Sequence, residues 1–303
     1  MSSTVTDYLS LQQAIGDWLG RTDLSSNAYL PEIIQMGQLR IYQGYQKSDG
    51  SYYPGLRVRQ MEKSFPGGNI NLITITNAGS GYTTAPSVTF AAAPTGGITA
   101  TGYAVLDNGQ PITTGAVTSI VLTKPGQGYT TAPTITLAGA ATATCTIVLT
   151  PALSASGNFA VPVDYLDLKY MTAALSGGTI RLERKPAEWV YEYYGSSGTN
   201  QPTYIARDGD VFITGPQADQ PYGIGGLYYY QDALLSSTYT TNMLTNNFPL
   251  LLLAACLAEA GAFIKDQDVV TYWEGRYNAL AATLQIADKR EALSGSPLTM
   301  KPG

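Results

Sequence analysis

Residues 73–90 read Ile73-Thr-Ile-Thr-Asn-Ala-Gly-Ser-Gly-Tyr-Thr-Thr-Ala-Pro-Ser-Val-Thr-Phe90. The pattern returns 47 positions later as Ile120-Val-Leu-Thr-Lys-Pro-Gly-Gln-Gly-Tyr-Thr-Thr-Ala-Pro-Thr-Ile-Thr-Leu137. Short β-branched runs alternating with Thr and broken by Gly-x-Gly-Tyr are the pattern of small antiparallel sheets. A third strand recurs at Thr99–Leu106 and Thr142–Leu149, so two repeats are read, 70–106 and 117–149, as two packed β-modules. Gly79, Gly81, Gly126 and Gly128 supply backbone freedom where the chain reverses, with Tyr82 and Tyr129 packing over the turns. A Gly-x-Gly that cradles phosphate needs a helix to follow, whereas Thr-Thr-Ala-Pro follows both of these. Thr-rich faces of this kind can also bind glycans or other proteins, and the sequence does not choose between them.

Working outward, Pro66–Pro151 holds only two charged residues, Asp107 and Lys124, while the rest of the chain holds 37. That break marks 66–151 as an inserted all-β domain and leaves 1–65 with 152–303 as the surrounding core. Helices are expected at 10–20, capped by Ser10 with Leu11, Ile15, Trp18 and Leu19 on one face, and at 28–45. Two more are expected at 247–265, capped by Asn246 or Asn247, and at 267–291. The β-region about 159–231 reads as strands at Phe159–Val163, Thr179–Arg184, Ala187–Tyr194, Gln201–Ala206, Val211–Thr214 and Gly226–Gln231. Leu56–Phe65 adds another, and Asp208-Gly209 is the expected hairpin turn. The fold class is α+β: a helical core with a small antiparallel β-domain and an inserted repeat domain.

Chemistry is constrained by what the chain lacks. It has no His, so Ser-His-Asp and Cys-His nucleophile systems and His-ligated metals are excluded within it. Cys145 and Cys256 have no CxxC spacing and sit in apolar strings. No cofactor, metal or catalytic residue is assigned. Asp164 and Asp167 could be an acid-base pair, but Asp164 reads better as the cap of a short helix. Asp208 and Asp210 flank a turn Gly, and turn chemistry explains them. Gly223-Ile-Gly-Gly226 precedes a strand and fails the dinucleotide test. Glu259, inside an apolar helix, is the most unusual carboxylate, either paired with Arg or Lys of a neighbour or marking a wet side. The net charge of −5 gives no basic footprint for gripping DNA and suits a wall that DNA slides past. The N-terminus has no basic region followed by an apolar core, so no secretory signal is expected. The most apolar stretch, Phe248–Ile264, is shorter than the ~20 residues of a membrane span, and no membrane insertion is expected.

Outside the insertion, the chain resembles the head-to-tail adaptor proteins of short-tailed bacteriophages. The resemblance rests on Ile15-Gly-Asp-Trp-Leu-Gly-Arg21, Leu39-Arg-Ile41, Leu56-Arg-Val-Arg-Gln-Met-Glu62, Phe159-Ala-Val-Pro-Val-Asp-Tyr-Leu-Asp167, Gly209–Pro216, Tyr228-Tyr-Tyr230 and Asn246 to Trp273, in that order. The extension Tyr45–Tyr53 and the insertion depart from the family. The resemblance implies a virion protein at the head-tail interface, in host cytoplasm during assembly. It would form a ring, twelvefold in that family, beneath the portal protein, meet tail nozzle or fibre proteins, and pass DNA through its lumen non-specifically. It further implies a C-terminal segment reaching into the portal, with Leu293, Ser294, Leu298, Met300 and Lys301 as docking candidates. The richness in Tyr points to interfaces, with Tyr228, Tyr229, Tyr230 and Trp273 as candidates. Competing readings are another tail or baseplate component, a glycan-binding or glycan-cleaving spike component, and a soluble enzyme.

Overall fold

The computed structural model describes residues 5–20, 29–47, 50–94, 97–107, 115–148, 151–153, 157–175, 177–195, 198–220 and 222–294. In chain order these form α1 (Tyr8–Leu19), α2 (Leu30–Gln43), β1 (Gly44–Gln46), β2 (Tyr52–Pro54), a 3-10 turn (Arg59–Met61) and β3 (Glu62–Ser64). The repeats supply β4 (Asn69–Asn77), β5 (Val88–Phe90), β6 (Thr101–Leu106), β7 (Val117–Lys124), β8 (Ile135–Leu137) and β9 (Thr142–Val148). Then come β10 (Phe159–Ala160), β11 (Tyr165–Leu175), β12 (Gly178–Arg181), β13 (Glu183–Arg184), α3 (Ala187–Tyr194), β14 (Tyr204–Asp208), β15 (Val211–Gly215) and β16 (Ile224–Tyr230). The chain ends with α4 (Met243–Asn247), α5 (Pro249–Phe263) and α6 (Gln267–Ser294). The class is α+β, as the patterning indicates. Two compact units form, Met1–Glu62 with Tyr229–Gly303, and Lys63–Tyr228.

In the first unit α5 is the hub. Its sequence Leu250 to Ala258 is apolar all round, and Leu251 through Ala258 are all buried beneath α1, α2 and α6. Gly37 of α2 lets the backbones meet, since a Cβ there would lie 2.7 Å from Cys256 Sγ and 3.0 Å from the Cys256 backbone. The first helix starts two residues earlier than Ser10 suggests. Asp7 is its cap and Ser10 its third residue, the two reciprocating hydrogen bonds with each other's backbone amides. Asn246 and Asn247 belong to α4, capped by Asn242, and do not cap α5; Pro249 stands in the first turn of α5 after Phe248. Asn242 and the fully buried Gln38 satisfy one another and the loop before α4: Leu235 N–H and Asn242 Nδ2 both donate to Gln38 Oε1, at 2.8 and 3.0 Å.

In the second unit, Phe65, Phe159, Tyr165, Phe212 and Tyr228 form an aromatic core, ring to ring at 5.1–6.1 Å. It lies between the sheets β10-β15-β14-β13 and β12-β11-β16-β3. Residues Ala187–Tyr194 form a helix, not the strand that their alternating aromatics suggest. The helix stacks Trp189 on Tyr193 one turn away, at 4.7 Å, and buries Val190 against Ala206 and Ile213. The hairpin β14-β15 turns on Gly209-Asp210, one residue past the expected Asp208-Gly209, because Asp208 still pairs with Val211 and Gly209 takes φ +56°.

The repeats do not fold as two separate modules. The third strand of the first repeat, β6, pairs with the first strand of the second, β7, while β9 pairs with β4. The two second strands meet at the centre, β5 on β8, in the register Val88↔Leu137, Thr89↔Thr136, Phe90↔Ile135. In the first two strands of each repeat, positions 47 apart are therefore exchanged by a local twofold axis through the Thr89–Thr136 pair. Both long ladders carry register breaks at equivalent places, Ile70/Leu72 and Ile75/Asn77 in one, Val105/Leu106 and Thr101/Gly102 in the other. This also corrects the alignment of the third strands. Thr101, not Thr99, is the equivalent of Thr142, because Thr101 stands opposite Lys124 as Thr142 stands opposite Asn77.

Candidate functional site

The densest polar constellation is built on Arg40 of α2, which is 6% exposed. The last turn of α2 aims the guanidinium across the bundle. Nη1 donates to Glu259 Oε1 of α5 at 2.8 Å, and Nη2 donates to Glu274 Oε1 of α6. The guanidinium lies 3.7 Å from the ring centre of Tyr45 in β1, whose hydroxyl donates to Asn278 Oδ1 at 2.9 Å. Tyr53 and Tyr277 complete the aromatic enclosure. Glu259, the odd carboxylate of the sequence, thus has an Arg partner. Burial pushes its carboxyl up from the ordinary glutamate value, Arg40 opposes this, and the second carboxylate, Glu274, adds to it. One cation serves two carboxylates whose side chains are 18% and 20% exposed. What this arrangement does is hold α2, α5, α6 and the β1-β2 hairpin in one geometry.

Other carboxylates are spent on structure. Asp164 caps no helix: it sits in the turn before β11, accepting from Lys63 Nζ at 2.6 Å and from the Tyr228 hydroxyl at 2.8 Å. Asp167 accepts from Arg184, Asp208 from the Tyr191 hydroxyl, and Asp210 from Lys124. The Asp210–Lys124 pair ties the repeats to the β-region, as do Gln127 Nε2 to Ala160 O and Asn69 Nδ2 to Ala152 O. Among the described residues no group of three or more His, Cys, Asp or Glu is placed to hold a metal ion, and no helix is long and apolar enough to cross a membrane.

Of the aromatics singled out as interface candidates, Tyr228 is 1% and Trp273 7% exposed, so the chain's own core takes both. Tyr229 and Tyr230 are half-buried, with the Arg57 guanidinium 6.0 Å from the Tyr229 ring. The outward face belongs to residues not singled out for it. Trp18, placed on the buried side of α1 by its spacing, is 57% exposed and meets Trp273 edge-on at 5.2 Å; Tyr272, 59% exposed, meets Trp273 from another side. The signal was in the dipeptide Tyr272-Trp273, since adjacent residues on a helix point about 100° apart and only one can face the core. Leu293 and Ser294 are the last residues of α6, while Leu298, Met300 and Lys301 lie outside the described residues.

At the repeat turns, Gly79, Gly81, Gly126 and Gly128 all have positive φ, +65° to +79°. Each tyrosine lies over the first glycine of its own turn: a Cβ on Gly79 would lie 2.8 Å from Tyr82, and on Gly126 2.7 Å from Tyr129. Each hydroxyl accepts from the other repeat, Tyr82 Oη from Ala141 N–H and Tyr129 Oη from Ala100 N–H, both at 3.0 Å.

Comparison with protein families places the chain in one of them. The family model of the SU10 adaptor protein matches residues 130–301, which span the end of the second repeat, the β-region and the helices α3 to α6. The chain belongs to the SU10 adaptor protein family. This makes it a phage adaptor protein, in a family that is structural in character. The match takes in Glu259, Glu274 and Tyr272, so the acidic half of the Arg40 cluster and the aromatic surface lie in adaptor-family sequence. Arg40, Tyr45 and the first repeat precede it. No curated protein matches the chain.

Proposed function

We propose that this adaptor is a structural, non-enzymatic component of the virion at the head-tail interface, where copies assemble as a ring between the portal and the tail and line the path of DNA. The observation that carries this reading is the adaptor-family match over residues 130–301, which takes in the exposed Tyr272; Trp18 of α1 is exposed beside the same Trp273. Large aromatics supply contact area with a polar handle, and association is what makes their exposure favourable. The C-terminal segment after α6 is the docking element for the portal, and the acidic balance of the chain keeps passing DNA from adhering. The test is native mass measurement with negative-stain microscopy, with and without a portal ring. Rings capping the portal are expected; a chain that stays monomeric beside the portal overturns the reading. Tight DNA retention at ~50 mM salt, weakening steeply as salt rises, would overturn the passive wall.

A further inference from the structure

The long strand ladders of the repeats run between the repeats, not within them. The contacts of these ladders come in matched pairs: Ile70 N–H donates to Pro125 O as Val117 N–H donates to Ala78 O, each at 2.9 Å, while β8 also bridges β9 within the second repeat at Ile135↔Ala143. Tyr82 N–H donates to Gly115 O as Tyr129 N–H donates to Gly68 O. Neither first strand pairs with the third strand of its own repeat, and the central pair Thr89↔Thr136 sits on the axis. Surfaces related in this way are self-complementary, as in the isologous interface of a twofold dimer. Nothing in these contacts requires the two repeats to belong to one polypeptide; the covalent connection 107–116 and the ties of each repeat to the β-region, through Asn69, Lys124 and Gln127, favour it.

We infer that the inserted module is a fused strand-exchange dimer, and that its partner surface fits a second copy of this chain: repeat one of one copy can clasp repeat two of another. The exchanged form makes the same hydrogen bonds and buries the same clusters, so the balance is set by effective concentration. A short connection gives an effective concentration on the order of mM. Chains folded together at ~1 μM should therefore close on themselves, and chains folded at ~100 μM should link in about a tenth of cases.

Thr89 and Thr136 are exposed and directly opposed, which allows a test on the full chain. Thr89→Cys and Thr136→Cys are made separately, unfolded, mixed, refolded together at ~1 and ~100 μM, oxidised and run on non-reducing denaturing gels. The double variant T89C/T136C reports whether the pair closes within one chain. A disulfide-linked heterodimer that rises with concentration is expected, absent when the two variants are folded first and mixed afterwards. If the double variant closes its intrachain bond while the mixed single variants give no heterodimer at either concentration, the inference is wrong. It is equally wrong if the double variant does not close and no heterodimer forms, because the central pairing itself then fails. A heterodimer that forms as readily on mixing folded chains would reflect contact between intact modules and would overturn strand exchange.

Discussion

Replacing Arg40 with Met removes the cation that pairs with both Glu259 and Glu274 while keeping an apolar stem of similar reach. Breaking a buried ion pair from one side costs about 3–5 kcal/mol, because a charge is left desolvated. Here both carboxylate side chains keep about a fifth of their surface in water, 18% and 20%, so the low end applies, about 3 kcal/mol. Loss of the guanidinium stacked 3.7 Å from Tyr45 is part of the same figure. For a helical unit of this size the expected drop in thermal midpoint, followed by far-ultraviolet circular dichroism at 222 nm, is about 10 °C. The sign of the pH dependence follows from Glu259. Its folded pKa already lies above the ordinary glutamate value, so the folded state binds the proton more tightly and the associated stability is lost as pH rises through the folded pKa. Without Arg40 the Glu259 carboxyl loses the partner that opposes its upward shift, so the deficit of Arg40→Met should shrink between pH 7 and pH 4.5. The triple variant R40M/E259Q/E274Q should recover most of the loss. A deficit below about 1 kcal/mol that does not change with pH would show that water already screens the cluster, and would refute the reasoning.

Glu259→Gln alone should flatten the acid limb of the stability profile relative to the parent chain, since the parent gains as pH falls through the raised pKa; an unchanged limb in pH-dependent urea unfolding contradicts this. Gly79→Ala and Gly126→Ala should destabilise the second unit to similar extents, about 1–2 kcal/mol for the left-handed backbone plus the close approach to each tyrosine ring; unequal losses would break the twofold equivalence. Tyr129→Phe leaves Ala100 N–H and Ala91 O without their shared hydroxyl, costing about 1–3 kcal/mol by urea unfolding. Tyr82→Phe, which frees only the Ala141 amide among the bonds described, should cost less. Truncation after Ser294 keeps Glu291 against Arg59 and should leave helix content intact while abolishing co-sedimentation with portal rings; undiminished co-sedimentation would remove the tail from that role.

Much of this was legible in the chain because period and composition are local. The apolar monotony of Leu250–Ala258 announced a covered helix, and Glu259 after it left two readings, a cationic partner or a wet side, of which the structure shows the first. What could not be read was which segments meet. Arg40 finds Glu259 and Glu274 across 219 and 234 residues, a pairing no spacing rule encodes. The third strands align at Thr101 and Thr142 only because each lies on the opposite repeat; matching the letters Thr-Ala-Thr places them two residues away. Ala187–Tyr194 alternates like a strand, yet as a helix it stacks Trp189 on Tyr193 while Val190 fills the space beside Ala206 and Ile213. Tertiary packing decided that case over local preference.

The placement of α5 also sets a clock. The helices α1 and α2 that cover it are made first, α5 and α6 last, and everything from Gly44 to Phe248 is made in between. At ~5–20 residues per second, the N-terminal pair waits roughly 10–40 s for the helix it is shaped to receive. Gly37, Arg40 and the apolar faces of α1 and α2 stay unmatched for that interval, and a chain that stops short of α5 never matches them. Closing the bundle therefore waits on the synthesis of α5, and chains that stop before it are left with exposed apolar helices.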